Sequence, residues 1–426
     1  MVNEVRGPGI SLRHGIAIYI SSVLGGGILI LPGLAADAAG PSSILAWIIL
    51  SVASFPFAYT FSRLAMRSRV SGGIYAFTRE AFGNRTGNSV GWLFLAWVAL
   101  GAPAVAVAAG TYLSYAISMN RVEIFTVAFI LILSVTVINN RGIRFSANLQ
   151  LFIIILLLSL LALSIVTAGA RISVSDFTPF FKRNGLSSIG TAMALVVWAY
   201  FGYENVPNLA GEFRDLQRDM RRSVFYSVII ISILYVSVSV VTVGTGAYSS
   251  GNGLAPFAVI LSGVFGKYGE LAAGAIALVA IFSTMNAYMA GVGRLIHEVS
   301  RNGGFPGFIS GSENKDEPGR SMILIGILAS VFLILFWLFN IQIEDAFLIV
   351  SGIGVVTYIL GSAAGIKLLE ASGWKKVIPW ISLIISIILI IFIGKFMIIS
   401  AAVILLSLAY TIIKERTRKS DYMDCP

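Results

Sequence analysis

The sequence predicts an all-α polytopic membrane protein of about 12 transmembrane helices, on three observations. Hydrophobic residues make up 57% of the chain, charged residues only 12%, and the mean hydropathy is +0.89. A soluble chain of this length would carry roughly twice that charge. The apolar residues fall in blocks of roughly 18 to 28, each long enough to cross a bilayer. Two blocks are interrupted, the first by Gly25-Gly26-Gly27 and the sixth by Tyr200-Phe201-Gly202-Tyr203-Glu204-Asn205-Val206-Pro207.

Spans are expected near 14–36, 41–62, 88–118, 121–138, 146–170, 187–211, 222–248, 269–293, 321–339, 343–366, 377–393 and 396–413. The first has no Ala-x-Ala cleavage site and outruns a signal peptide's apolar core, so it is expected to be retained. With the N-terminus inside, the outer connections hold Arg121, Arg171, Lys182, Arg183, Lys267 and Lys395, and the other 24 of the 30 Lys and Arg are inside. Basic residues collect on the cytoplasmic side, so both termini are expected in the cytoplasm and the chain in the cell membrane. The net charge of +10 is then a topology signal, with attraction to anionic membrane lipid, and does not point to nucleic acid.

In span 1, three successive glycines weaken the helix where the bilayer demands one, at about 1 kcal/mol each against alanine. Irregular backbone at that depth is tolerated where it lines a cavity or is buried in protein, and the competing reading is close packing through small residues. Span 2 leads into a polar cytoplasmic stretch, Arg63 to Asn88. Span 6, five spans after the first, carries the second break. Five is odd, so the second set of five enters from the opposite face, and paired breaks in corresponding halves point to a transporter's binding site. The expected organisation is a first repeat over 14–170, an inverted repeat over 187–366 and a peripheral pair over 377–413, which lacks interior prolines and polar clusters and suits a scaffolding or homodimer-forming role. The stretches Glu212 to Arg222 and His297 to Arg320 read as further cytoplasmic connections, the latter rich in turn formers such as Gly303-Gly304-Phe305-Pro306-Gly307.

Cys425 is the only cysteine, so no internal disulfide or cysteine metal site is possible. His14 and His297 read as ordinary interfacial residues.

Four strings in order resemble the amino acid–polyamine–organocation (APC) superfamily of transporters: Leu24-Gly25-Gly26-Gly27-Ile28 with Leu31-Pro32-Gly33; Ser71-Gly72-Gly73-Ile74-Tyr75 with Arg79-Glu80-Ala81-Phe82-Gly83; Phe201-Gly202-Tyr203-Glu204 with Glu212; and Arg294 with Arg301-Asn302-Gly303-Gly304-Phe305-Pro306. Within it the chain looks most like bacterial neutral amino acid exporters of the methionine and branched-chain type. The resemblance implies the LeuT-type fold of five plus five helices with helices 1 and 6 broken. It departs in two places. The family's proline pair after span 6 is replaced by Asp215-Leu216 and Met220-Arg221, which implies a more helical loop, and span 5 from Leu149 to Val166 has no lysine.

A free amino acid presents a carboxylate and an ammonium. Amides freed at Gly26, Gly27 and Ile28 form a helix N-terminus, which attracts the carboxylate, and Gly25 is expected at the same substrate site. Carbonyls of Trp198 to Phe201 at the end of the first half of span 6, with that of Val23, suit the ammonium. The resemblance makes Trp198 a gate over the substrate. Tyr200 and Gly202 are expected at the same site, Tyr200 with packing as its alternative. Leu100-Gly101-Ala102-Pro103-Ala104 is expected to line the pocket, and Ala102 stands where the related arginine/agmatine antiporter has an asparagine, which suits an apolar ligand side chain.

Glu204 is a carboxylate at membrane depth, costly unless functional. It can brace the unwound segment or carry a coupling proton, and bracing is the favoured reading. Ser283 and Thr284 in span 8 can join span 1 carbonyls around a sodium ion or bond back to their own helix, the more frequent habit of such pairs.

The leading reading is a secondary transporter of neutral apolar amino acids working by alternating access. A polyamine or organic-cation permease is the alternative, and it would place more acidic side chains in the pocket than Glu204. No filter string marks a channel. No metal motif, nucleophile elbow or carboxylate pair marks an enzyme, and no cofactor is implied.

Overall fold

The computed structural model describes residues 9–68, 72–142, 147–181, 185–249, 253–309, 319–370 and 373–423. Ser71, Lys182, Arg183 and Cys425 lie outside them. Among the described residues there is no β-strand, only an isolated bridge between Ile10 and Phe213.

Span 1 is two helices, α1 (Leu12–Val23) and α2 (Leu31–Ala39), separated by an extended Gly25 and a 3-10 turn over Gly26–Leu29. Pro32 opens α2, where its missing N–H costs no hydrogen bond. α3 (Ser43–Ser68) follows, then α4 (Gly73–Phe82), α5 (Asn84–Ile117), α6 (Arg121–Asn140) and α7 (Ala147–Ala168). The start of α6 is set by a capping box, Asn120 and Glu123 each accepting the other's backbone N–H.

Span 6 begins as α8 (Leu186–Val196) and tightens to a 3-10 turn, Val197–Tyr200. It then breaks at an extended Phe201 and at Gly202, whose φ is +129°. A side chain at 202 would be strained there, and its Cβ would lie 2.4 Å from the Ser22 carbonyl oxygen. Beyond the break the chain turns through 206–212 and, capped by Asp215, enters a π-helical turn at Leu216–Met220 that runs directly into α9 (Arg221–Gly244). The loop without the proline pair is thus helical in short, irregular turns.

The remaining helices are α10 (Pro256–Phe265), α11 (Lys267–Arg301), α12 (Gly319–Leu338), α13 (Ile343–Leu368), α14 (Val377–Ile393) and α15 (Met397–Met423). Among the described residues nine stretches are long and apolar enough to cross a membrane. Two of them, Leu31–Arg67 and Val377–Thr417, each hold two elements that the sequence analysis separates, and Leu186–Tyr200 is a shorter apolar helix. Two helices arise where connections were expected. α4 packs Ile74, Tyr75, Phe77, Thr78 and Ala81 inward, a helical period within the polar stretch Arg63 to Asn88, and α10 is too short to span a bilayer. α5 is the hub, packing against α11, α13, α6, α12, α4 and α15, while α3 joins α9 and α8 beside the two breaks.

Candidate functional site

The two breaks border one cavity. The span 1 break contributes Val23, Gly25, Gly26, Gly27 and Ile28, and the span 6 break contributes Trp198, Ala199 and Phe201. The N–H groups of Gly26 and Gly27, at the start of the 3-10 turn, take no partner among the described residues. They are the orphan donors that a helix start leaves. The carbonyls opposite are partly engaged. The Tyr235 hydroxyl of α9 lies 2.9 Å from the Ala199 carbonyl and 3.2 Å from that of Val23, joining the end of α1 to the turn that ends the first half of span 6. The Trp198 carbonyl accepts the Phe201 N–H at 3.0 Å.

Each glycine of the triplet faces a different neighbour. A Cβ on Gly25 would meet the Thr284 methyl at 3.0 Å, one on Gly26 would meet Ile281 of α11 at 2.6 Å, and one on Gly27 would meet the Trp198 indole at 3.3 Å. Close packing and free amides therefore coexist here: Gly26 lets the break approach α11, and Gly27 leaves room for the indole. The Trp198 ring extends from Gly27 across to α5, where a Cβ on Gly101 would meet it at 2.9 Å, and packs edge-on against Phe347 of α13 at 4.8 Å between centroids. Trp97 of α5 packs edge-on against Phe201 at 4.9 Å between centroids.

Ala102 lines the cavity, as does Gly101. Leu100, Pro103 and Ala104 of the same string do not. Lining residues outside the sequence-based set are Trp97, Val98 and Val105 of α5, and Met285, Tyr288 and Met289 of α11. Helical spacing would have found half of them: Val98 and Val105 lie four before and three after Ala102, and Tyr288 four after Thr284, and positions three and four apart share a face.

Tyr200 and Gly202 are corrections to the expected lining. Tyr200 points away from the cavity, its hydroxyl 2.9 Å from the Trp47 carbonyl and 2.8 Å from the Ser51 hydroxyl of α3. At about 120° per residue in the tight 3-10 turn, the Tyr200 side chain stands about 120° around from that of Trp198, toward α3. Gly202 packs on the end of α1, its carbonyl accepting from the Ser22 hydroxyl at 2.9 Å.

Glu204 is buried behind the break. Its Oε2 accepts the Gly202 N–H at 2.7 Å and the Tyr358 hydroxyl at 2.6 Å, while Oε1 has no partner among the described residues. Thr284 lines the cavity with its hydroxyl donated back to the Ala280 carbonyl at 2.9 Å; Ser283 does not line it. No group of three or more His, Cys, Asp or Glu that could hold a metal occurs among the described residues.

A polytopic helical protein with two opposed helix breaks around one buried cavity is built as a membrane transporter. The comparisons give the particular family: the chain matches the amino acid permease family over residues 10–406 and belongs to it, within the APC superfamily. It is 31% identical to an uncharacterized amino acid permease, YecA of Bacillus subtilis (strain 168), over 85% of this chain and 86% of that one. It is 26% identical to the L-methionine/branched-chain amino acid exporter YjeH of Escherichia coli (strain K12), again over 85% and 86%. An arginine/agmatine antiporter of Chlamydia felis (strain Fe/C-56) is 26% identical over 82% of this chain and 75% of its own length. The protein is a multi-pass amino acid transporter and not an enzyme.

Proposed function

We propose that the chain moves neutral, apolar amino acids across the cell membrane by alternating access at the cavity between the two breaks. The observation that carries this is the lining: among the described residues it holds no Asp, Glu, Lys, Arg or His. The substrate's carboxylate meets the free amides of Gly26 and Gly27, its ammonium meets the carbonyls at Val23 and Ala199, and its side chain lies against Val98, Ala102 and Val105. Burying a charged side chain on that wall without a partner costs several kcal/mol. The similarity to an exporter named for methionine and branched-chain amino acids supports the same class. A polyamine or organic-cation substrate is disfavoured because Glu204, the nearest acid of the breaks, lies outside the lining and is already engaged.

In this reading Trp198 is the lid and Glu204 the brace of the span 6 break, with the proton-carrier role as its alternative. Residues 14–170 and 187–366 form the two repeats, and 377–413 is a peripheral pair that can form a homodimer. Both termini are cytoplasmic. Competition by a panel of amino acids against labelled leucine in proteoliposomes tests the substrate class. Leucine, isoleucine, valine or methionine should outcompete arginine and glutamate, and arginine winning would overturn the pocket assignment.

A further inference from the structure

α5 separates two cavities. Val98, Ala102 and Val105 face the central one, and Ala104, Val107 and Thr111 face another of about 350 Å³. At about 100° per residue the two sets occupy opposite sides of the helix. The second cavity lies between α5, α6, the end of α12 and the start of α13, and its volume falls in the range of small-molecule sites, about 300–1,000 Å³.

Its wall is apolar at Val107, Ile124, Phe125 and Phe336, and carries one charge of each sign, Arg121 and Glu344. Among the described residues no ion pair joins them to each other or to any other charge. The Arg121 guanidinium is held by neutral groups instead: one N–H donates to the Trp337 carbonyl at 2.9 Å, and its carbon lies 5.5 Å from the centre of the Phe125 ring. Guanidinium carries five donors in a fork that suits a carboxylate or phosphate, and this anchoring leaves most of them available.

We propose that the second cavity binds a small zwitterion, a primary ammonium beside an anionic group on an apolar stem. Its anion pairs with Arg121, its ammonium pairs with Glu344, and its stem packs against Val107, Ile124, Phe125 and Phe336. A simple cation or anion would gain from one wall charge and be repelled by the other, whereas a zwitterion satisfies both. Two sources carry this chemistry, a free amino acid and the headgroup of phosphatidylethanolamine.

The site is placed to act on transport. Ala346 borders the second cavity, and the next residue on α13, Phe347, packs against Trp198 over the central one. An occupant bearing on this turn of α13 biases the lid without entering the transport path.

The inference goes beyond the proposed central site, and one titration separates the two. Labelled leucine is titrated onto the purified protein in detergent and the number bound per chain is counted, with monodisperse elution as the check on folding. The wild type should bind two, Arg121→Gln and Glu344→Gln one each, and Ala102→Phe, which fills the central cavity, one. A second arm uses nanodiscs of phosphatidylethanolamine or phosphatidylcholine. Loss of one leucine only in phosphatidylethanolamine assigns the headgroup as the occupant in the membrane, and two leucines in both lipids assign the free amino acid. One leucine everywhere, abolished by Ala102→Phe and indifferent to Arg121→Gln, overturns the second site and keeps the central one. One leucine abolished by Arg121→Gln and indifferent to Ala102→Phe keeps the second site and overturns the central one.

Discussion

The Trp198 indole packs edge-on against the Phe347 ring, with centroids 4.8 Å apart and planes at 67°. Trp198 belongs to the broken helix and Phe347 to an unbroken one, so a swing of the indole away from α13 would part this contact.

Trp198→Ala should impair transport more than binding. The amides of Gly26 and Gly27 remain, so leucine affinity should fall only a few-fold while exchange in proteoliposomes slows by about tenfold or more, the loss of a large aromatic lid. Phe347→Ala should give a smaller effect of the same kind, since such an aromatic pair is worth about 0.5–1.5 kcal/mol. Equal losses in binding and transport would assign Trp198 to direct substrate contact alone.

Gly202→Ala should destabilise the protein. The position combines a φ of +129° with a Cβ path ending 2.4 Å from the Ser22 carbonyl. Strain of this type costs about 1–3 kcal/mol. A lowered unfolding temperature, with less monodisperse protein recovered, is the expected result, and an unchanged one would show that the break can relax.

Glu204→Gln keeps the shape of the span 6 break but cannot cycle a proton. As a brace, Glu204 can be replaced by glutamine, whose amide oxygen still accepts the Gly202 N–H, and gradient-driven accumulation should persist. Loss of pH-driven accumulation with substrate exchange intact would make Glu204 the proton carrier. Ser283→Ala and Thr284→Ala under an imposed sodium gradient test the alternative coupling site: full accumulation in both would remove sodium coupling at this pair.

Cysteines placed at Tyr268 and Thr417 in a Cys425→Ser background test the topology. An impermeant maleimide added to intact cells should label position 268 and leave 417 unlabelled, as the distribution of Lys and Arg predicts. External labelling of 417 would reverse the assignment of the termini.

The helical class and the places of both breaks were legible in the chain because their causes are local. Length and apolarity make a span, and glycine or proline weakens it wherever it stands. The helices α4 and α10 were missed for the converse reason. α4 sits in a polar stretch and α10, though apolar, is only ten residues long, so neither announces a span, and they are held by packing against neighbours such as α5 and α11.

The cavity lining was only partly legible. The sequence alone determined that Gly25 to Ile28 and the residues around Trp198 lie at helix breaks, because the energetic cost of breaking a helix falls on those very residues. Which side chains face the cavity was decided by tertiary structure: Trp198 toward α5 and α13, Tyr200 toward α3, Met285, Tyr288 and Met289 in from α11. A helix's own period says which residues share a face. Only the positions of its neighbours, set by packing across hundreds of residues of sequence separation, say which face meets a cavity.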